Sequence, residues 1–373
     1  MLKGFKKLVS LVLVLAVSMV VSVPAFAEDP KDSVRNSDVL INQAQEQQAE
    51  SYAVNFIKKE RRTSEANSIQ WNSSTSIAEK IPLYDFEGNI NSYLFRLTTN
   101  GSNQGFILVD LTADKPYAEA YCATGKLPAD YMMLKHSDHE ITAEDKIIHA
   151  GMFKYAFEKN DVFYDLESNQ PIGIAQNDLQ ESYTRNTQLA NSKSTFRSNN
   201  SVNYPVSRTL SIDSLVTTSD YGDDNNCGPT ACTNFIYYWK SYNSKLWTGS
   251  VYGDLKKYLK WDSNSGVQRD AYIPGLKAFG NSRKAPIKGS DDRTHNSIDW
   301  NFIATNIYSG IPLILSVDSY QGVSGGHAVI CFGYSKSTSV PTLVLADGWN
   351  DSLVSYDYRN AADIAEARYT RWK

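Results

Sequence analysis

Asp223-Asp224-Asn225-Asn226-Cys227-Gly228-Pro229-Thr230-Ala231 is the stretch around which the rest of this chain reads as scaffold. Beyond it, Ala231, Phe235 and Trp239 recur at i, i+4 and i+8, and Cys232 with Ile236 adds a second row, the spacing of a buried helix. Pro229 suits the first turn of such a helix, where a missing N–H costs nothing. Cys227 therefore falls at a helix N-terminus, where unpaired N–H groups and the positive end of the dipole favour a thiolate. Gly228 beside it lets another segment approach the sulfur. The plainer alternative is a structural cysteine ahead of a core helix.

Two later stretches supply partners for a nucleophilic thiol. Ser324-Gly325-Gly326-His327-Ala328-Val329-Ile330 puts a histidine at the start of an apolar strand, held yet open to a ligand. Leu345-Ala346-Asp347-Gly348-Trp349-Asn350 puts an aspartate at the end of the next strand. Antiparallel neighbours bring such a start and such an end side by side. Asp347 is then expected to hold the far nitrogen of His327, and His327 to take the proton of Cys227 and return it to a leaving amine. Trp349 is placed to cover the His–Asp contact. His295 is the only other histidine after Cys227, and it follows Asp291-Asp292-Arg293-Thr294, read here as a charged loop.

The surrounding pattern is helical first and β-rich afterwards. Helices are expected at Val251–Trp261, at Gly275–Phe279 after a break at Pro274, and at Asn296–Ser309 with Gly310 as its stop. Strands are expected at Ile311–Val317, His327–Tyr334 and Thr342–Ala346. Helical half plus antiparallel sheet is an α+β domain over residues 204–373, with the thiol in the cleft between the halves.

Ahead of it lies a second α+β unit, residues 28–177. It opens with a helix over Ser37–Glu60, followed by strands at Ile81–Tyr84, Ser92–Thr98 and Gly105–Leu111 separated by turn residues. A further helix is expected over Ala143–Glu158 and a last strand pair over Val162–Ile174. His136, His139 and His149 are read as solvated, not as metal ligands. Residues 178–203 are rich in Ser, Asn and Thr and poor in aliphatics, the composition of a flexible, protease-accessible linker. Residues 1–27 carry Lys3, Lys6 and Lys7, an apolar run from Leu8 to Val23, and small residues at Ala25 and Ala27, which predicts a cleaved export signal and a secreted product.

Hydrophobic residues make up 42% and charged residues 21%, the composition of a folded protein, and a net charge of -4 argues against nucleic acid as a partner. Four cysteines allow a Cys232–Cys331 disulfide, but two buried free thiols are the expectation. No paired Cys/His spacing calls for zinc, and no cofactor is implied.

Asn226-Cys227-Gly228-Pro229-Thr230-Ala231, Gly326-His327-Ala328-Val329 with Gly333-Tyr334, and Asp347-Gly348-Trp349 together resemble the papain-fold cysteine peptidases of bacteria, near streptopain and the leader-cleaving bacteriocin peptidases. The resemblance implies Cys227 as nucleophile, His327 as base and Asp347 as the orienting residue. Pro82-Leu83-Tyr84-Asp85-Phe86-Glu87-Gly88-Asn89, Tyr93-Leu94-Phe95 and Gly105-Phe106-Ile107-Leu108-Val109 resemble a streptopain-like pro-domain, which implies a zymogen inhibited by its own first unit; a targeting or substrate- or wall-binding module is the other reading of that unit. One departure stands out. The family's oxyanion-holding Gln, six residues before the Cys, is replaced by Tyr221, and Asn225 is the candidate substitute, with Asn226 and Ser219 as alternatives. The resulting reading is a secreted cysteine endopeptidase acting on peptide or protein substrates. Its rivals are a peptidoglycan-stem amidase with the same Cys/His pair and an inactive papain-like surface binding protein.

Overall fold

The computed structural model describes residues 30–63, 71–125, 127, 146–160, 162–166, 170–172, 204–318, 326–336 and 341–373. The expected export signal and the 178–203 stretch lie outside them, as do His136 and His139. The chain divides into two compact units, Met1–Gln45 and Glu46–Lys373. Of the first, only the opening turns of helix α1 (Pro30–Thr63) are described. Every other described residue belongs to the second.

Within that unit, α1 buries Ala49, Ala53, Phe56 and Ile57, a run at i, i+4, i+7 and i+8 that forms one helical face. The face packs on a meander of β1 (Thr75–Tyr84), β2 (Ile90–Thr99), β3 (Ser102–Asp110) and β4 (Tyr117–Cys122). Alternation divides the sheet residues: Tyr93, Phe95 and Leu97 of β2 meet α1, while Leu94 turns to the other face and joins the main core. Asn100 and Gly101, both at positive φ, make the tight β2–β3 turn that Asn-Gly favours.

The helix expected over Ala143–Glu158 is not formed by the described residues. Ile147–His149 and Tyr155–Lys159 are strands β5 and β6, and Val162–Asp165 is β7. The β5–β6 hairpin turns through Gly151 at φ 133° and Phe153 at φ 62°, positions a helix cannot accommodate. Ala150 N–H donates to the Lys154 carbonyl at 2.9 Å and Lys154 N–H to that of Gly151 at 3.0 Å, which closes the turn.

After β8 (Ser207–Thr209) come α2 (Cys227–Trp239), α3 (Val251–Tyr258) and α4 (Tyr272–Ser282). Pro274 is no break: it is the third residue of α4, inside the first turn, where proline is tolerated. The residues read as a charged loop before His295 form strand β9 (Gly289–Thr294), whose inward and outward residues alternate. Helix α5 (Trp300–Tyr308) starts later than expected because Asp299 caps it, accepting from Phe302 N–H at 2.7 Å. Strands β10 (Leu313–Asp318), β11 (Gly326–Ser335), β12 (Thr342–Ala346), β13 (Val354–Asp357) and β14 (Ile364–Arg371) complete the chain.

The strands form one sheet in the order β7-β6-β5-β1-β2-β3-β4-β13-β12-β11-β10-β14-β9, with β8 on β11. Pairing is antiparallel except between β1 and β5. The seam between the two α+β halves is β4 against β13, pairing Tyr121 with Ser355 and Ala120 with Tyr356. Thr124 donates to Ser352 across it at 2.8 Å, and the Cys122 thiol to the Leu353 carbonyl at 3.4 Å. One core runs through both halves: Leu94, Phe106, Leu108 and Phe157 belong to the same apolar cluster as Phe235, Trp239, Val329 and Leu345. Helix α2 packs on β11, so the N-terminus of the one meets the start of the other.

Candidate active site

Cys227 is the first residue of α2, and Asn226 precedes it as the cap residue. The approach to it is anchored at three points. Asp223 accepts from Tyr252 at 2.8 Å and from Lys256 at 2.7 Å, the Asn225 carbonyl accepts from the Trp261 indole at 3.0 Å, and Asn226 Nδ2 donates to the Thr218 carbonyl at 2.9 Å. Gly228 is required by crowding: a Cβ there would come within 2.7 Å of the Tyr272 hydroxyl and 2.8 Å of Val267. Cys227 is partly exposed, and its thiol donates to the Gly326 carbonyl at 3.7 Å, so the sulfur lies beside the residue that leads into His327.

His327 is buried at the start of β11. Its Nε2 lies 2.6 Å from the main-chain carbonyl of Asp347. A carbonyl can only accept, so this contact assigns the ring hydrogen to Nε2 and makes Nδ1 the basic nitrogen. The contact corrects the expectation in its atoms: Asp347 meets His327 through its backbone. The carboxylate instead organises the next turn, accepting from Trp349 N–H at 3.0 Å, Asn350 N–H at 2.9 Å and Asn350 Nδ2 at 2.8 Å. The reason is local. Gly348 takes φ 81°, which folds the turn back over the aspartate side chain. Burial raises the Asp347 carboxyl above its usual range, opposed by the Asn350 and Trp349 bonds and by the His327 ring. Trp349 stacks on His327 with centroids 4.6 Å apart and 28° between planes, the covering position expected of it.

None of the three candidate oxyanion side chains is idle. Asn225, at φ 50°, donates Nδ2 to the Ser263 carbonyl at 2.7 Å, Asn226 is tied to Thr218, and Ser219 shares a hydrogen bond with Thr217 at 2.8 Å. Asn225 is the one that lines the same cleft as Cys227 and His327, a cavity of about 680 Å³. Tyr221 stacks on Tyr252 at 3.5 Å, which commits its ring elsewhere.

The other thiols are buried and free. Burial pushes Cys122 up to about 11 and Cys331 up to about 12, and raises Cys232 further still, so these three remain protonated. His295 Nδ1 lies 3.0 Å from the Ile364 carbonyl, away from the cleft.

Sequence reasoning missed what the first half contributes. Phe153, at the tip of the β5–β6 hairpin, lies against His327 at 5.0 Å between centroids, Trp349 at 5.5 Å and Tyr356 at 4.6 Å. Lys154 follows it into the cleft wall and pairs with buried Asp363 at 2.8 Å, whose other oxygen accepts from Met152 N–H at 3.1 Å. A non-glycine residue at φ 62°, two positions after Gly151 at φ 133°, marks this turn, and it is invisible until the chain is folded. His149 is likewise not solvated: it is buried and paired with Glu119.

The model of the Peptidase_C39 like family matches residues 209–373, which supports a papain-like cysteine peptidase for this half of the chain. The stretch holds Cys227, His327 and Asp347. No curated protein matches the sequence.

Proposed function

We propose that this protein is a secreted cysteine endopeptidase, made as a precursor whose N-terminal half obstructs its own cleft. The observation that carries the chemistry is the placement of the Cys227 thiol beside Gly326, with His327 next in the chain and held through Nε2 by the Asp347 carbonyl. In this reading His327 Nδ1 takes the thiol proton. The sulfur adds to a peptide carbonyl, and the oxyanion is met by the Cys227 N–H at the start of α2. Asn225 supplies the second donor by exchanging the Ser263 carbonyl for the oxyanion. His327 then protonates the leaving amine as the C–N bond breaks, and water, deprotonated by the same ring, releases the acyl group from sulfur. Asp347 positions the ring through its carbonyl and fixes the Trp349 turn through its carboxylate.

The precursor reading rests on Phe153, which covers the ring that must take the proton. The polar 178–203 stretch is the proposed processing region. Purified Cys227→Ala and wild type are compared on casein and on peptidoglycan, each with and without iodoacetamide. Cys227-dependent cleavage of casein supports the endopeptidase. Cleavage of peptidoglycan alone replaces it with the wall amidase. A Phe153→Ala protein cut in the 178–203 stretch, correctly folded and labelled at Cys227 by iodoacetamide yet inert on both substrates, points to the binding-protein alternative.

A further inference from the structure

Behind the hairpin that carries Phe153 sits a buried polar cluster that the chemistry above does not use. His149 ends β5, one residue before the turn and four before Phe153. Its Nε2 lies 3.3 Å from Glu119 on β4, and its Nδ1 3.1 Å from the Ser92 hydroxyl on β2. Asn91 Nδ2 donates to the His149 carbonyl at 2.7 Å, and Ser92 Oγ donates to Asn91 at 2.9 Å. The His149 ring packs on Tyr155 at 5.0 Å, its pairing partner across the hairpin on β6. Asp110 at the end of β3 and Asp363 after β13 complete the charges that act on the ring, Asp363 also holding Lys154. Ser92, His149 and Glu119 have the members of a hydrolytic triad, but Ser92 is fully buried and no substrate reaches it.

We propose that His149, set between Ser92 and Glu119 at the root of the β5–β6 hairpin, is a proton-controlled latch that keeps Phe153 on His327 and lets it go as the pH rises. The latch rests on the reading that this hairpin obstructs the cleft. It supplies something that a cut in the 178–203 stretch does not, because the β4–β13 seam and the shared core hold the two halves together without that stretch.

The direction follows from the charges. Burial, the largest single influence, works against a charged His149, but Glu119 at 3.3 Å, Asp110 and Asp363 together outweigh it, so the ring's proton is held more tightly than in the unfolded chain. A histidine with a raised value contributes stability in full below about 6.5, the ordinary histidine value, and loses it as the pH rises through the folded value. Asp110 acts in the same sense. Burial, then the nearby Glu119, raises it to about 6, so charging it between about 4 and 6 weighs against the folded cluster. Once the pH passes the folded value of His149, Asp110 and Glu119 remain buried beside each other without the cation between them and the hairpin.

Hydrogen exchange on the Cys227→Ala protein tests this without any catalytic turnover. Protection of the Ala150 and Lys154 amides is followed from pH 5.5 to 8.5, corrected for intrinsic exchange and referenced to amides of the β10–β11 pair. The latch predicts at least a tenfold relative loss of protection across that range. His149→Gln is expected to remove the pH dependence except for the part that Asp110 contributes near pH 6, and to leave the hairpin at its low, high-pH protection above that. Glu119→Gln does the same if the first variant does not fold. Hairpin protection that is flat with pH in the parent protein overturns the proposal, as does an unchanged profile in a folded His149→Gln. The endopeptidase reading is judged separately: a latch that opens on a wild type unable to cut casein sinks the enzyme and leaves the latch, and an active enzyme with a flat hairpin does the reverse.

Discussion

His327 and His149 are both buried histidines at strand ends, 4% and 2% exposed, and they differ in what holds them. The hydrogen bond of His327 goes to a main-chain carbonyl, a neutral acceptor that tolerates the ring with or without its second proton, while the Asp347 carboxyl acts on the ring without bonding it in the contacts described above. His149 faces a carboxylate, which rewards the charged ring and resists its discharge. The first arrangement suits a group that must gain and lose a proton in every cycle. The second suits a group that stays charged until its surroundings change. Burial alone therefore says little about a histidine's role, and the charge of its partner says more.

Replacing each ring in turn sharpens this contrast most. In a Phe153→Ala background, which removes the obstruction, His327→Gln is expected to lower kcat/KM on a peptide substrate by about 10³-fold, within the range for losing a general base. His149→Gln in the same background should leave it within about twofold at pH 8. Equal losses from the two would erase the distinction.

Asp347 tests the neutral-carbonyl side. Asp347→Ala strands two backbone N–H groups and the Asn350 amide in a buried turn, at about 1–3 kcal/mol for each unsatisfied group. A lower melting temperature and a reduced kcat should appear together. Asp347→Asn is expected to be much milder, because the carbonyl on His327 remains and a rotated Asn350 amide can accept from the new side chain. A severe Asp347→Asn defect with intact folding would mean that the carboxylate charge, rather than the backbone, serves the ring.

Phe153→Ala on its own carries the smallest effect. Aromatic pairs contribute about 0.5–1.5 kcal/mol each beyond burial. Losing this ring should therefore speed alkylation of Cys227 in the uncut protein by up to about tenfold at pH 6. The latch predicts that this gain shrinks once the pH passes the folded value of His149. A gain that does not depend on pH would separate the plug from the latch.

The placement of Cys227, His327 and Asp347 was legible because its constraints are local. A thiol at a helix start, a histidine opening an apolar strand and an aspartate closing the next one are each written within six or seven residues, and antiparallel pairing of β11 with β12 places Ile330 opposite Ala346 beside them. What meets His327 was half legible: the residue was readable, but the choice of carbonyl over carboxylate depends on a φ 81° turn at Gly348. The hairpin was not legible at all. Ile147-Ile148-His149-Ala150 and Tyr155-Ala156-Phe157 are apolar runs too short to tell strand from helix, and their meaning comes from partners 30 to 200 residues away in sequence, such as Glu119 and Trp349. The oxyanion candidate sits between these cases, since Asn225 lines the same cleft as Cys227 and His327 but has its amide committed to Ser263.

The seam between β4 and β13 carries a last consequence, for anyone who purifies the nicked protein. Proteolysis between residues 178 and 203 breaks the chain, but it leaves the strand pairing at Tyr121–Ser355, the Cys122–Leu353 contact and the common apolar interior untouched. Two bands on a denaturing gel should therefore elute from a sizing column as one species of the uncut mass, and only urea or guanidinium should part them.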